Sequence, residues 1–340
     1  MMGGMAESTR EWYLRAAREL AATSSRQVEW CRGVADDPRM IGLLESVPRA
    51  ARQPSLLFAV AAYLGVPAAP YPAWADAVLA RADAVAAELP RRRVQTNEPA
   101  RSVPLAVALA RIPGPIALIE LGASAGLCLL ADRYGYRFRS SEAEAVRLGD
   151  GTPVLEAELD ACLVPSALPD IRWRCGIDLA PLDPTDADAR RWLEASLPPD
   201  RPERLARLRA ALARASRGTP RVMTGDALDA LPALAAEAPR GTSLVVASLG
   251  TAVYLPPADR ERLLAGIRAV GARAVTFEAR SAVPEVRARW DALAAEGRAD
   301  ADASFVLAID GEPIASGSAH GDRLVCVRPA GRTGTDEFRS

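Results

Sequence analysis

The chain has 340 residues and a formal net charge of −1, which excludes a strong overall field of the kind that attracts nucleic acid or an acidic membrane. Its length suggests one large domain or two, and an apolar fraction of 49% is ordinary for a globular protein. The five cysteines are scattered and the chain has a single histidine, so no metal site is expected. Unpaired thiols, and an N-terminus without an apolar signal segment, predict a cytoplasmic protein.

The first third of the chain reads as helical. Apolar residues recur among charged ones at helical spacing, and none of these segments alternates with a period of two. Helices are predicted at 11–22, 55–65, 72–89 and 103–110. We therefore predict that residues 1–110 form a helical N-terminal domain or lid.

From residue 116 onwards, short apolar runs alternate with helical segments. The predicted strands are 116–121, 171–177, 221–224, 243–249 and 274–278. The predicted helices are 124–134, 186–196, 202–216, 232–238, 257–270 and 284–295. This alternation predicts an α/β fold with a doubly wound, mostly parallel sheet over residues 111–330.

Three segments depart from that alternation. Residues 136–170 carry turn signals and no clear helix, which predicts an inserted hairpin or excursion. The apolar runs 305–309 and 323–327 predict a closing antiparallel pair. Residues 331–340 are expected to be a disordered tail.

The most informative stretch is 116–133, which reads IALIELGASAGLCLLADR. An apolar strand ends at an acid, Glu120, and a loop of small residues follows with Gly122, Ser124 and Gly126. Glycines allow a sharp turn and the close approach of a ligand, and the free N–H groups of a following helix favour an acceptor-rich ligand. The spacing differs from the dinucleotide fingerprint, so a nucleotide or adenosyl ligand other than NAD is favoured. A glycine-rich turn that binds no ligand is the alternative.

Polar side chains also follow the next strands. Asp178 follows the second strand, where a carboxylate can accept both hydroxyls of a ribose; a turn or cap role, and the competitor Asp183, remain open. Asp226 and Ala227 follow the third strand. The Asp226 carboxylate can accept from an adenine amino group and the Ala227 N–H can donate to the ring, with a helix N-cap as the alternative role of Asp226. Tyr254, beyond the fourth strand, suits the substrate side of a cleft or a plain loop.

The same glycine loop also spells G-x-S-x-G, the nucleophile elbow of α/β-hydrolases. The chain order of Ser124, an Asp and His320 agrees with that alternative. The helical pattern of residues 1–110 argues against it, because a hydrolase needs several strands before the elbow. A turn around His320 is the simpler interpretation of that residue.

A polar belt precedes the first strand: Gln95, Asn97, Glu98 and Arg101. Four hydrogen-bonding side chains beside the apolar start of a helix are costly unless they are solvated or used. The belt therefore reads either as a substrate clamp over the cleft or as a solvated linker.

Several segments together resemble one bacterial family, catalogued as domain of unknown function 2332. The resemblance covers roughly residues 10–330, with its motifs in matching order. The segments are RRRVQTNEPARS (91–102), ALIELGASAGLCLLADRY (117–134), WRCGIDLAPLD (173–183), RPERLARLRAAL (201–212), RVMTGDALDALP (221–232) and AVYLPPADRERL (252–263).

This resemblance implies a Rossmann-like sheet of the S-adenosylmethionine (SAM)-dependent methyltransferase type, as a cofactor-binding domain behind the helical region. Carried over to this chain, it implies a set of SAM-binding residues and favours the site over a linker as the place of the polar belt. The cofactor-binding positions are Glu120, Gly122, Ser124, Gly126, Asp178, Asp226 and Ala227.

Two positions depart from the family pattern. Cys128 stands where relatives usually have Asn, and the fourth-strand end VVASLGTAVYL lacks a His-Ser pair common there. A changed or lost activity is therefore an open alternative, in the form of a non-catalytic binding or scaffold protein.

The favoured function is a SAM-binding, methyltransferase-like enzyme acting on a small molecule. Methyl transfer needs mainly positioning and desolvation of the two partners, so no strong acid/base set is required. Glu98 is the predicted group for orienting or deprotonating the acceptor, with Tyr254 second, while Gln95, Asn97 and Arg101 bind substrate. No nucleic-acid or membrane partner is expected, and a homodimer remains an open arrangement.

Overall fold

The computed structural model describes residues 7–95, 97–140 and 143–329. Contacts divide the chain into two compact units, Met1–Thr96 with Asp186–Arg209, and Asn97–Thr185 with Ala210–Ser340. The sequence prediction drew a single boundary after residue 110, whereas this division groups residues 97–110 with the sheet. The predicted tail at 331–340 lies outside the described residues.

The helices run in chain order as α1 (Thr9–Glu19), α2 (Ser25–Asp36), α3 (Pro38–Glu45), α4 (Pro54–Tyr63), α5 (Tyr71–Leu79), α6 (Ala82–Glu88), α7 (Ser102–Leu109), α8 (Ala187–Ala195), α9 (Pro202–Ala215), α10 (Ala227–Ala235), α11 (Pro257–Ala269) and α12 (Pro284–Ala295). The strands are β1 (Ile116–Leu121), β2 (Gly135–Ser140), β3 (Ala143–Leu148), β4 (Val154–Leu159), β5 (Ile171–Asp178), β6 (Val222–Thr224), β7 (Ser243–Leu249), β8 (Arg273–Ala279), β9 (Phe305–Ile309), β10 (Glu312–Gly317) and β11 (Arg323–Cys326).

The helical unit is built around buried aromatic rings. Trp30 of α2 stacks on Trp74 of α5 with ring centroids 4.5 Å apart, and both rings are almost fully buried. In α8, Trp192 is also buried, meets the edge of the Tyr63 ring at 5.8 Å, and donates its indole N–H to the Arg93 carbonyl. Burial of this large ring is one reason why a segment after residue 185 belongs with the N-terminal helices.

The sheet unit contains one mixed sheet in the order β3-β2-β4-β11-β10-β9-β8-β7-β1-β5-β6. Strands β6, β5, β1, β7 and β8 run parallel to one another in that order, and β9 is antiparallel to β8. The α/β class with a mostly parallel sheet is therefore confirmed. The chain moves outward from β1 through β5 and β6, then returns to β7 and β8, so the strand order reverses between β1 and β7.

The half of the sheet beyond β8 differs from the expectation. The runs at 305–309 and 323–327 form strands but do not pair with each other, because β10 lies between them and pairs with both. The excursion supplies β2, β3 and β4, and β4 lies parallel to β11 through Arg323 opposite Glu158 and Leu324 opposite Leu159.

The sheet is closed on one face by α10, α11 and α12. Leu231, Leu263 and Trp290 from these helices share a buried cluster with Ile119 and Val246 of the sheet. Helix α7 is buried along its whole length. Among the described residues, no helix combines the length and apolar character needed to cross a membrane.

Candidate functional site

The loop after β1 turns sharply and is tied to the end of β5. Gly122 and Gly126 have φ near +69°, and Ser124 has φ +52°, all in the left-handed region. The N–H groups of Gly122 and Ala123 both donate to the Ile177 carbonyl, at 2.8 and 3.2 Å. The loop therefore has a fixed shape set by its neighbouring strand.

The helix predicted at 124–134 is absent from the described structure of that segment. A 3₁₀ segment at Cys128–Arg133 follows the loop, and Leu130 within it has non-helical angles (φ −97°, ψ 20°). The expectation of free N–H groups at an α-helix start was therefore wrong. Only short-range turns cover this stretch, so its apolar side chains pack without a regular helical stripe.

Asp178 joins β5 to the glycine loop. Its Oδ2 accepts the Ser124 N–H at 2.8 Å, and its Oδ1 accepts the Ala180 N–H at 2.8 Å. The side chain is half-buried, and Ser124 is 4% exposed. The structure therefore brings together two of the predicted cofactor residues, with the carboxylate shaping the loop.

Glu120 lies buried beside this contact. Burial, and then the charge of Asp178, raise the pKa of the Glu120 carboxyl to about 8, and the nearby Arg101 partly offsets this. Its Oε2 is buried and has no hydrogen-bond partner among the described residues. Glu120 therefore holds a proton near neutral pH.

Three of the four belt residues lie against the loops of the sheet unit. Asn97 donates its side-chain N–H to the Ala123 carbonyl at 3.0 Å. Glu98 is 2% exposed; its Oε1 accepts the Ala100 N–H at 3.2 Å, and its backbone carbonyl accepts the Cys128 thiol at 3.6 Å. Gln95, the fourth, is half-exposed and belongs to the helical unit.

Arg101 lies across the end of β7. It donates Nη1–H to the Leu249 carbonyl at 2.8 Å and Nε–H to the Ala319 carbonyl at 3.1 Å. Gly250 leaves the room for it, since a Cβ there would lie 2.4 Å from Arg101 Nη1. These two hydrogen bonds therefore fix the guanidinium against the loop after β7, beside the point where the strand order reverses.

Glu278, at the end of β8, was missed by the sequence analysis. It is 3% exposed, and its Oε1 accepts the Ser248 hydroxyl at 2.6 Å and the N–H groups of Thr251 and Ala252 at 2.9 and 3.1 Å. Burial raises the pKa of this carboxyl. The available signal was an acid at the end of an apolar strand, as at Glu120.

Asp226 and Ala227 stand beside the end of β5. Asp226 is exposed, and its Oδ1 caps α10 by accepting the N–H groups of Leu228 and Asp229 at 2.9 and 3.3 Å. Asp178 is its close neighbour through the Gly225 N–H, which donates to the Asp178 carbonyl at 2.9 Å. Asp226 therefore acts as the N-cap of α10 through Oδ1, and its Oδ2 takes no part in the cap.

Tyr254 is 72% exposed at the end of the 3₁₀ turn Ala252–Tyr254. It is therefore a surface ring near the end of β7 rather than a buried one. Among the described residues, no group of three or more His, Cys, Asp or Glu side chains is placed to hold a metal ion.

We expect Gly122→Ala to destabilise the protein by about 2–4 kcal/mol. The new Cβ would lie 2.4 Å from Thr251 Cγ2 and Oγ1, at a φ of +69°. Urea unfolding measures the loss. The matched control is Gly114→Ala, which has a φ of +81° and nothing within 4 Å of its Cβ, so it carries the backbone strain alone. Equal losses in both variants would contradict the clash.

Comparisons with known proteins point to a family and not to a named relative. No curated protein and no solved structure matches the chain. A family model described as an uncharacterized protein conserved in bacteria, DUF2332, matches residues 10–325 and so spans both units. The chain belongs to this family.

Proposed function

We propose that this protein is a SAM-binding, methyltransferase-like enzyme that acts on a small molecule. The carrying observation is the contact between Asp178, at the end of β5, and the Ser124 amide in the loop after β1. In doubly wound sheets, ligands bind outside the carboxyl ends of the strands, near the reversal of strand order. The order β6-β5-β1-β7-β8 supports a methyltransferase-type, Rossmann-like sheet.

The residues at this edge suit an adenosyl ligand. Each Asp178 oxygen accepts one N–H, which leaves further lone pairs for two ribose hydroxyls. Ser124 Oγ and Asn97 Oδ1 are buried without a hydrogen-bond partner among the described residues, and both belong to or touch the same loop. Asp226 keeps one carboxylate oxygen for an adenine amino group.

The two loop glycines serve the protein's own packing. A Cβ on Gly122 would meet Thr251, and one on Gly126 would come within 3.1–3.3 Å of Pro220, Val222 and Leu129. The proposal therefore rests on the loop's polar atoms and on Asp178, and not on ligand approach at the glycine Cβ positions.

When bound, SAM would supply an electrophilic methyl group. The protein's contribution is to position the acceptor and exclude water, which provides most of the rate in a displacement of this kind. Glu98 is the proposed group that orients or deprotonates the acceptor, because it is a buried carboxyl beside the loop. The exposed Tyr254 ring is the second candidate for contact with substrate.

Calorimetry with S-adenosylhomocysteine tests the cofactor. We expect the wild-type protein to bind and Asp178→Ala to bind at least about tenfold more weakly, because a hydrogen bond to a charged group contributes about 1.5–3 kcal/mol. The matched control is Asp183→Ala, which removes an exposed turn Asp bonded to Thr185.

Wild-type protein that releases no heat with millimolar ligand would overturn the proposal. So would equal affinity in the Asp178 and Asp183 variants. Circular dichroism of each variant separates loss of binding from loss of fold.

A second candidate is a binding protein without turnover. It is favoured by the structural use of Arg101, whose guanidinium already donates two of its N–H groups to the Leu249 and Ala319 carbonyls. The missing His-Ser pair at the end of β7 points the same way. Binding of SAM without methyl transfer to any acceptor pool would select this candidate.

The serine-hydrolase alternative keeps one supporting observation, the left-handed φ of +52° at Ser124. Against it, Ser124 is 4% exposed, and its Oγ makes no hydrogen bond to any described residue, His320 included. We therefore expect a fluorophosphonate probe to leave Ser124 unlabelled.

A further inference from the structure

Two of the five cysteines meet at the junction of β4 and β11. Cys162 is exposed in the short 3₁₀ turn Ala161–Leu163 that follows β4, and Cys326 is half-buried at the end of β11. Cys162 lies near enough to the Cys326 thiol to influence its pKa.

Hydrogen bonds hold the segments that carry these two cysteines beside each other. The Cys326 N–H donates to Asp160 Oδ2 at 2.8 Å, and the Asp160 N–H donates to the Leu324 carbonyl at 3.3 Å. Residues of the turn and of β11 lie within 8 Å of one another, Cα to Cα. On the other side, Arg111 donates to the Cys162 carbonyl at 2.7 Å. These hydrogen bonds fix the backbone at both cysteines.

The other three cysteines offer no comparable pair. Cys31, Cys128 and Cys175 are all buried, and the last two direct their thiols at backbone carbonyls. In the folded protein, Cys162 and Cys326 are therefore the neighbouring pair of thiols that a reagent in solution can reach.

We propose that Cys162 and Cys326 form a modification site that a low-molecular-weight disulfide, such as oxidised glutathione, converts to a disulfide bond. The Cys162 thiolate attacks one sulfur of the reagent, the reagent's S–S bond breaks, and one glutathione leaves. The Cys326 sulfur then attacks the Cys162 sulfur of the mixed disulfide and releases the second glutathione. The two thiol protons end on the two glutathiones, so the protein loses two electrons and the reagent gains them.

Exposure sets the order of these steps. Cys162 is open to solvent, so the reagent reaches it first. Burial, and then the neighbouring Cys162 and Asp160, raise the pKa of the Cys326 thiol to about 12, which keeps it protonated until the second step. The position of Cys326 beside Cys162 makes the second step intramolecular, which offsets the small fraction of thiolate at Cys326.

The disulfide bond would cross-link β4 and β11 beside their short pairing. Only the pairs Arg323–Glu158 and Leu324–Leu159 register β11 against β4, and this pairing joins β2, β3 and β4 to the other strands. A disulfide between residues 162 and 326 would close a long loop in the unfolded chain and so lower the entropy of the unfolded state. We expect the oxidised protein to unfold at higher urea than the reduced protein.

Thiol counting tests the proposal. The reduced chain has five thiols, and after incubation of the folded protein with oxidised glutathione we expect three under denaturing conditions, five less the two that pair. Cys162→Ser and Cys326→Ser should each start at four and stay free of any protein disulfide. The matched control is Cys31→Ala, which keeps the pair and should fall from four to two.

Peptide mass mapping completes the test, with the 162–326 cross-link as the expected product. A wild-type protein that keeps five thiols, or that stops at a glutathione adduct on Cys162, would overturn the proposal. So would a Cys162→Ser variant that still loses two thiols, because the bond would then lie elsewhere.

Discussion

A Glu120→Gln variant should lose less stability than the wild-type protein as the pH rises from about 5 to about 9, because one buried carboxyl with a raised pKa has been removed. The native pKa of Glu120 is raised by burial to about 8, from an ordinary value of 4.5. A pKa that differs by one between the folded and unfolded states changes the free energy of unfolding by about 1.4 kcal/mol, so the effect is on the order of a few kcal/mol.

The sign follows from proton binding. Between pH 4.5 and about 8, the folded protein keeps the Glu120 proton while the unfolded chain has released it. Stability therefore falls as pH rises, being fully present below the unfolded pKa and lost above the folded one. Glutamine removes the titration and keeps a side chain of the same shape.

Urea unfolding at both ends of this pH range measures the difference between variant and wild type. The matched control is Glu237→Gln, an exposed residue whose pKa is lowered by its ion pair with Arg221, so it should retain the wild-type fall. A Glu120→Gln variant with the full wild-type pH dependence would show that Glu120 is charged in the folded protein.

The strands of the sheet were largely predictable from sequence. The runs at 116–121, 243–249 and 305–309 match β1, β7 and β9, since each is a short apolar run bounded by turn signals. Strand β10 was missed because it contains Pro313 and ends at Gly317, residue types that are depleted in strands. Periodicity also merged α5 and α6 into one helix at 72–89, because the break at Ala80 and Arg81 has no Gly or Pro.

Long-range order was beyond the sequence pattern. No local sequence pattern predicts that β4 pairs with β11 or that residues 186–209 belong to the helical unit. These contacts depend on which apolar faces find each other, as Trp192 does with Tyr63. Register and packing are tertiary properties, and local propensity gives only a weak prior on them.

Candidate residues were easier to predict than their partners. Asp178, Glu120 and the glycine loop were found because acids and glycines at strand ends are visible in the sequence. Their bonds were not, and Asp178 is engaged with the Ser124 and Ala180 amides. The buried state of Glu98 was equally hidden, because a polar belt looks the same whether it is solvated or packed.

Glu278→Ala should cost about 3–5 kcal/mol of stability, whereas Glu278→Gln should stay within about 1 kcal/mol of wild type. Its Oε1 accepts the Ser248 hydroxyl and the amides of Thr251 and Ala252, so alanine would leave all three donors without this acceptor. Glutamine keeps a carbonyl acceptor and removes the cost of a buried ionisable group whose pKa is already raised. Urea unfolding near neutral pH compares the two variants, and equal losses would mean that the charge, and not the acceptor geometry, holds the loop after β7.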